Sequence, residues 1–295
     1  MNFEQELREK VNQVNTVIGR YLPEEKGRQK RLLEAMNYSM LSGGKRLRPL
    51  LMRETYEMLG GNSPVIEPFM AAMEMIHTHS LIHDDLPAMD NDDYRRGRKT
   101  THKIYGEAFG ILAGDGLLNY AYETASRAFL MEPENPMIGK AIGILAAKTG
   151  IGGMIGGQSV DVEMEGRPLD QGQLDFIYRL KTGALIEASL MIGAVLAGAS
   201  RETVEKLEKI GGMIGLAFQI QDDILDVTGT AQALGKPVHS DEKNHKTTYV
   251  TLKGPEQARR DVEELSSRAL EELKTLPCRD PFLIKLVAWL VRREY

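Results

Sequence analysis

Twelve prolines punctuate the 295 residues, and none lies between residues 88 and 132 or between 169 and 236. Proline is the residue that a helix interior tolerates least, so these two runs leave room for long uninterrupted helices. Aromatic residues make up only 6% of the chain, and few β-branched runs alternate with polar ones, which argues against a sheet. The fold class expected is all-α. Helices are expected near residues 4–20, 27–42, 49–60, 65–85, 107–130, 136–163, 170–198, 201–227, 255–275 and 280–293. Ser63-Pro64 and Leu169-Asp170 read as helix entries, and Gly60-Gly61, Gly198 and Gly229 as exits. No Ser/Gly-rich linker or composition step divides the chain. One helical domain over 1–295 is therefore expected, a bundle of about ten or more helices around a central cavity.

With 42% hydrophobic and 27% charged residues the composition is that of a soluble globular protein. The net charge of −5 offers nothing to a polyanion, so no nucleic-acid partner is expected. A single cysteine, Cys278, forms no internal disulfide and no thiolate zinc site, and a cytoplasmic location fits. The N-terminus lacks an apolar signal region, and no run of 18 uncharged apolar residues is evident. Neither export nor stable membrane association is expected.

Two acidic clusters carry the chemistry. The first, His83 to Asp93, holds five aspartates in the ten residues from Asp84 to Asp93 and follows the apolar stretch from Phe69 to Ile82. Asp84 and Asp85 fall at a helix C-terminus, where the dipole disfavours negative charge, and Pro87 forces a break that brings Asp90 round. Such carboxylates are costly together unless a cation joins them, and an all-oxygen set suits Mg²⁺, Mn²⁺ or Ca²⁺. The second cluster is Asp222, Asp223 and Asp226. Helical spacing of three and four residues gives these a common rim. A single DDxxD string is more often a solvated helix end than a metal site. Two of them, about 140 residues apart and each closing an apolar helix, shift the balance towards metal.

Cations stand beside the acids. Gly43-Gly44-Lys45-Arg46-Leu47-Arg48-Pro49 places three positive side chains after a flexible glycine pair, and Tyr94-Arg95-Arg96-Gly97-Arg98-Lys99 follows the first cluster directly. Arginine matches phosphate oxygens bidentately and carboxylates hold phosphate through a metal, so together they imply a diphosphate. A solvated salt-bridge surface is the plainer alternative for either basic segment alone. Lys181-Thr182-Gly183 puts poor helix formers inside a helix, where either a kink exposing carbonyls or a packing accommodation would explain them. The many glycines within expected helices, among them Gly157, Gly211, Gly212 and Gly215, read as sites of close helix approach or local unwinding.

Other readings fare less well. Gly235-Lys236-Pro237 is not a phosphate-binding P-loop, since Pro237 stands where Ser or Thr is needed. The spacing after Asp90 fails as an EF-hand, because Tyr94 and Arg95 occupy the places of a ligand and a glycine. His79 and His83, four apart, would suit a metal-dependent HD-type phosphohydrolase. That reading leaves the second DDxxD and the basic segments unused.

Taken in order, these segments resemble the trans-prenyltransferases, the short-chain isoprenyl diphosphate synthases, and above all their bacterial farnesyl-producing members. The resemblance rests on Gly43 to Pro49, on Ser80 to Asp90, on Arg95-Arg96-Gly97, Gly157-Gln158 and Lys181-Thr182-Gly183, and on Phe218 to Asp226 with Gly235-Lys236. It implies an all-helical fold around a deep cavity, a homodimer, and Mg²⁺ at two or three ions per site with Mn²⁺ able to substitute. By the same resemblance, Asp84, Asp85, Asp90 and Asp222 would hold metal, with Asp223 and Asp226 in support. Arg95, Lys181 and Lys236 would contact the allylic diphosphate. Lys45, Arg48, His77 and Arg96 would hold isopentenyl diphosphate, with Arg292-Arg293 closing over it. Thr182 and Gln219 would face the reacting carbons.

The reaction so implied is the head-to-tail joining of isopentenyl diphosphate to dimethylallyl or geranyl diphosphate by ionisation, condensation and proton loss. Product length would be set by a floor before the first aspartates. There His79 stands where farnesyl synthases carry an aromatic such as tyrosine, followed by the small Ser80. Farnesyl diphosphate (C15) is the product expected, with geranylgeranyl diphosphate (C20) the alternative. A non-catalytic subunit would have lost an aspartate cluster, and a terpene cyclase would need no isopentenyl site.

Overall fold

The computed structural model describes residues 2–228, 247–277 and 281–292. In chain order the helices are α1 (Phe3–Arg20), α2 (Lys30–Met40), α3 (Leu47–Met58), α4 (Glu67–Asp84), α5 (Thr101–Tyr105), α6 (Glu107–Ser126), α7 (Ala128–Met131), α8 (Met137–Thr149), α9 (Met154–Glu163), α10 (Gln171–Ile177), α11 (Ala184–Leu196), α12 (Arg201–Thr228), α13 (Tyr249–Lys253), α14 (Pro255–Lys274) and α15 (Phe282–Arg292). A 3₁₀ turn, Pro64–Ile66, leads into α4, and a π-helical turn, Tyr178–Gly183, joins α10 to α11. Two short strands, β1 (Tyr94–Arg95) and β2 (Arg98–Lys99), pair antiparallel. The expected all-α class holds, and the described residues form two compact units: residues 1–53 with 63–142, and residues 54–62 with 143–295.

In the first unit α4 is the axial helix. Its residues from Pro68 to Ile76 are all buried, so it is apolar around its circumference and packs most extensively on α6. Phe69, Met70, Met73, Met75 and Ile76 fill the core with Ala113, Leu117 and Ala121 of α6. Ser63 caps the 3₁₀ turn through Val65 N at 3.3 Å, as the Ser63-Pro64 signal implied.

In the second unit α11 is buried along nearly its whole length and packs against α12. Glycines make that approach possible. A Cβ on Gly211 would lie 2.7 Å from Glu187 Cα, and one on Gly215 would lie 2.6 Å from Gly183 Cα. Asp170 and Gln173 form a reciprocal capping box at the start of α10, with bonds of 2.9 and 3.0 Å.

One expected helix needs correction. The helix expected over 136–163 is divided by a turn at 150–153 into α8 and α9. That same stretch holds an 18-residue window with a mean hydropathy of 1.3, one-third buried, so by length and composition alone one segment is apolar enough to cross a membrane. Lys140 and Lys148 interrupt the stretch, so it is not a run of 18 uncharged apolar residues.

Candidate active site

The basic segment after α2 divides its labour. Arg46 adopts φ +50° and is 4% exposed. Its guanidinium donates to Glu74 Oε1 at 2.7 Å, to the Met40 carbonyl at 2.6 Å and to Asn15 Oδ1 at 2.9 Å. This arginine therefore ties α1, the end of α2 and α4 together. Lys45 beside it is exposed, and Arg48 is half-buried with Nη1 3.3 Å from His77 Nε2.

The sequence Arg95-Arg96-Gly97-Arg98 forms a two-residue hairpin turn. Arg96 and Gly97 have φ +52° and +74°, the backbone twist that a tight hairpin needs. The turn delivers its two arginines to different places. Arg95 Nε donates to Asp85 Oδ1 at 2.5 Å, and Arg95 Nη2 lies 3.5 Å from Asp92. Arg96 donates to the Gly43 carbonyl, and its guanidinium lies where a Cβ on Gly44 (φ +133°) would stand, 2.7 Å away. Only glycine at 44 admits that contact. His77 is held well below the ordinary imidazole range, first by burial and then by Arg48, Arg96, Arg46 and Arg95. Arg48 and Arg96, with Arg46 and Arg95, thus make one cationic neighbourhood around the neutral His77 imidazole, while Lys45 is exposed on the same segment as Arg46.

The first aspartates sit at the end of α4 as the sequence implied. Asp84 is its last residue and Asp85 its C-cap. The chain then turns so that Asp90 N donates to the Asp84 carbonyl at 2.9 Å, returning Asp90 to the helix end. Asp84 is half-buried and Asp90 exposed. Asp85 is 3% exposed, and burial pushes its carboxyl up to about 6 despite Arg95 beside it.

Upstream on α4, His79 and His83 do not form a metal pair. Their rings meet edge to face, with centroids 4.6 Å apart, and each ring reaches a carbonyl of α6: His79 Nδ1 lies 3.0 Å from Gly114 O, and His83 Nε2 lies 3.2 Å from Ile111 O. Any side chain at Gly114 would collide with the His83 ring. Burial lowers His79 to about 4, and His83 adds to the effect. Ser80 turns its hydroxyl back to the His77 carbonyl at 2.9 Å. The phosphohydrolase reading loses its ligands here.

In the second unit, the three aspartates near the end of α12 differ. Asp222 is partly exposed, whereas Asp223 and Asp226 are each 3% exposed. They do not share one open rim. Asp223 Oδ2 accepts from the Tyr178 hydroxyl at 2.6 Å and from Tyr249 N at 2.8 Å. Lys181, Thr182 and Gly183 lie in the π-helical turn, so the poor helix formers mark local widening of the helix. Thr182 Oγ1 donates to Gln219 Oε1 at 2.8 Å, which joins the two residues expected to face the reacting carbons. Lys181 Nζ donates to Asp161 Oδ2 at 2.6 Å.

Asp161, Tyr178, Tyr249, Glu74 and Gly114 were not anticipated from sequence. Asp161 could have been found, since it stands one helical turn beyond Gly157 of the Gly157-Gln158 pair. Lys236 and Arg293 lie outside the described residues, as does the side chain of Arg292. Among the described residues no three acidic, imidazole or thiol groups form a ready-made metal cage.

The sequence matches the family described as Polyprenyl synthetase over residues 29–276. It is 45% identical over 257 residues to a farnesyl diphosphate synthase of Geobacillus stearothermophilus, covering 85% of this chain and 84% of that one. It is 44% identical over 277 residues to the farnesyl diphosphate synthase of Escherichia coli, covering 94% and 93% of the two chains. A geranylgeranyl diphosphate synthase of Cyanophora paradoxa is 40% identical over 289 residues, with 98% and 95% covered. Among solved structures, a geranyltransferase of Helicobacter pylori complexed with magnesium and isoprenyl diphosphate superposes with a TM-score of 0.85 at 34% identity, covering 99% of this chain and 97% of that one. An acidic helix end with a cationic cluster, found in a chain with these relatives, leads to one conclusion: the protein belongs to the polyprenyl synthetase family.

Proposed function

We propose that this chain joins isopentenyl diphosphate head to tail to dimethylallyl and geranyl diphosphate, with farnesyl diphosphate as its main product. The observation that carries the reading lies within the first unit, where Asp84 and Asp90 meet at the end of α4 while Arg48 and Arg96 gather around the neutral His77. Carboxylates for a metal and arginines for bare phosphate serve two diphosphates of different roles. The family match runs through both units, which supports reading 1–295 as one polyprenyl synthase domain.

The donors fit Mg²⁺. They are hard carboxylate oxygens without thiolate, the donor type that suits Mg²⁺. Asp84, Asp85, Asp90 and Asp222 would hold it, with two or three ions per site and Mn²⁺ as a substitute, and Asp223 and Asp226 would support Asp222. When bound, Mg²⁺ supplies the positive charge that stabilises a departing diphosphate.

The chain's own residues do the rest. Arg95, Lys181 and Lys236 bind the allylic diphosphate, and Lys45, Arg48, His77 and Arg96 bind isopentenyl diphosphate. With Thr182 bonded to it, Gln219 is oriented to present an amide dipole to the developing allylic cation. The isopentenyl double bond attacks that cation, and the proton lost passes to the released diphosphate. Apolar helix walls keep water from quenching the cation.

For length, the edge-to-face pair His79 and His83 supplies together the bulk that a single aromatic would give, which favours C15. The C20 reading retains the support of His79 being smaller than tyrosine. A homodimer fits the exposed Ile104, Ile111 and Leu112 of α5 and α6, and the single cysteine fits the cytoplasm. The test is diphosphate release, which should require isopentenyl diphosphate, an allylic diphosphate and Mg²⁺ together. Release without isopentenyl diphosphate would indicate a cyclase or hydrolase instead.

A further inference from the structure

The π-helical turn Tyr178–Gly183 is held on two sides by direct backbone contact. On one side Gly157 of α9 lies so close that a Cβ there would overlap Lys181 N and Leu180, and on the other Gly215 of α12 lies against Gly183. Widened turns of this kind recur at functional sites, because they redirect side chains that a regular helix would stack. Here two of the redirected side chains meet polar groups of neighbouring helices. Thr182 meets Gln219, and Lys181 meets Asp161 at 2.6 Å, with both members of that ion pair 28% exposed.

Asp161 stands four residues after Gly157 on α9, so the helix that seats the backbone of Lys181 also presents a carboxylate to its ammonium. A lysine side chain has four rotatable bonds and no planar fork to fix its direction, so an unaided ammonium occupies many positions. We infer that Asp161 is a positioning residue: its carboxylate fixes the Lys181 ammonium before the allylic diphosphate arrives and keeps its bond to the ammonium afterwards, so that the cation meets the phosphate oxygens from a set position. The inference rests on the reading of Lys181 as an allylic diphosphate ligand.

The experiment compares Asp161→Asn and Asp161→Glu with the parent in steady-state kinetics, varying geranyl diphosphate and isopentenyl diphosphate separately. Binding of inorganic pyrophosphate with Mg²⁺ is measured alongside by calorimetry. Asp161→Asn is expected to raise KM for geranyl diphosphate about tenfold, corresponding to about 1.4 kcal/mol, and to weaken pyrophosphate binding by a similar factor. KM for isopentenyl diphosphate should stay unchanged, and Asp161→Glu should recover most of the loss. The inference is overturned if both KM values and kcat move together, as a purely structural defect would make them, or if neither variant differs from the parent. Absence of isopentenyl-dependent turnover in the parent would overturn the functional reading itself, independently of any Asp161 result.

Discussion

The Tyr178 hydroxyl donates to Asp223 Oδ2 at 2.6 Å, and the backbone N–H of Tyr249 donates to the same oxygen at 2.8 Å. One carboxylate thereby joins α12 to the π-helical turn and to the first residue of α13. Its neighbour Asp222, one residue earlier, is more exposed. Adjacent identical residues thus have different surroundings, and substitution separates their roles.

Asp222→Asn is expected to lower kcat by about 10²–10³-fold, the scale of losing one preorganised electrostatic contact, with the urea midpoint unchanged. Asp223→Ala is expected to lower stability by about 1–3 kcal/mol, because it leaves buried donors on Tyr178 and Tyr249 without their acceptor. Steady-state rates and urea titrations on both variants check this. Equal effects of the two substitutions on stability would contradict it.

The same contrast holds for Arg46 and Arg48. Removing Arg46 strands the 1% exposed Glu74, so Arg46→Ala is expected to cost about 3–5 kcal/mol. Arg48→Ala should leave the unfolding midpoint nearly unchanged and raise KM for isopentenyl diphosphate. An Arg46→Ala protein as stable as the parent would show that the buried ion pair does not hold α1, α2 and α4 together.

Much of this arrangement was legible in the sequence because proline and glycine act locally. The proline-free runs gave the long helices α6, α11 and α12, Pro87 gave the break after α4, and Leu169-Asp170 gave the start of α10. The divide between α8 and α9 was missed because glycine weakens a helix by only about 1 kcal/mol without forbidding it. The short α5 and α13 carry too few turns for a periodic signal. The unlike fates of Arg46 and Arg48, or of Asp222 and Asp223, depend on partners far along the chain. Glu74 is 28 residues from Arg46, and Tyr178 is 45 from Asp223.

His79 links pH to stability. Its folded value of about 4 lies below the ordinary 6.5, so between those values the unfolded chain binds the extra proton. The stability contributed by the neutral ring is present above 6.5 and is lost as pH falls towards 4. Linkage gives a loss of about 2 kcal/mol between pH 7 and pH 5. Denaturant titrations at the two pH values should show His79→Phe losing less than the parent by about that amount. Parallel losses in both proteins would place the acid sensitivity elsewhere.

The same residue tests the floor. His79→Tyr is expected to shorten the product distribution and His79→Ala to lengthen it, read by mass spectrometry of the dephosphorylated alcohols. If both variants return the parent's product, the tail ends against another side chain.

The most direct test of the whole account is product analysis of the purified protein with Mg²⁺, isopentenyl diphosphate and geranyl diphosphate. The account predicts a predominantly C15 product whose formation requires both diphosphates and stops when the metal is chelated. A predominantly C20 product would contradict the role given to the His79 and His83 pair, and no isopentenyl-dependent product at all would contradict the central claim.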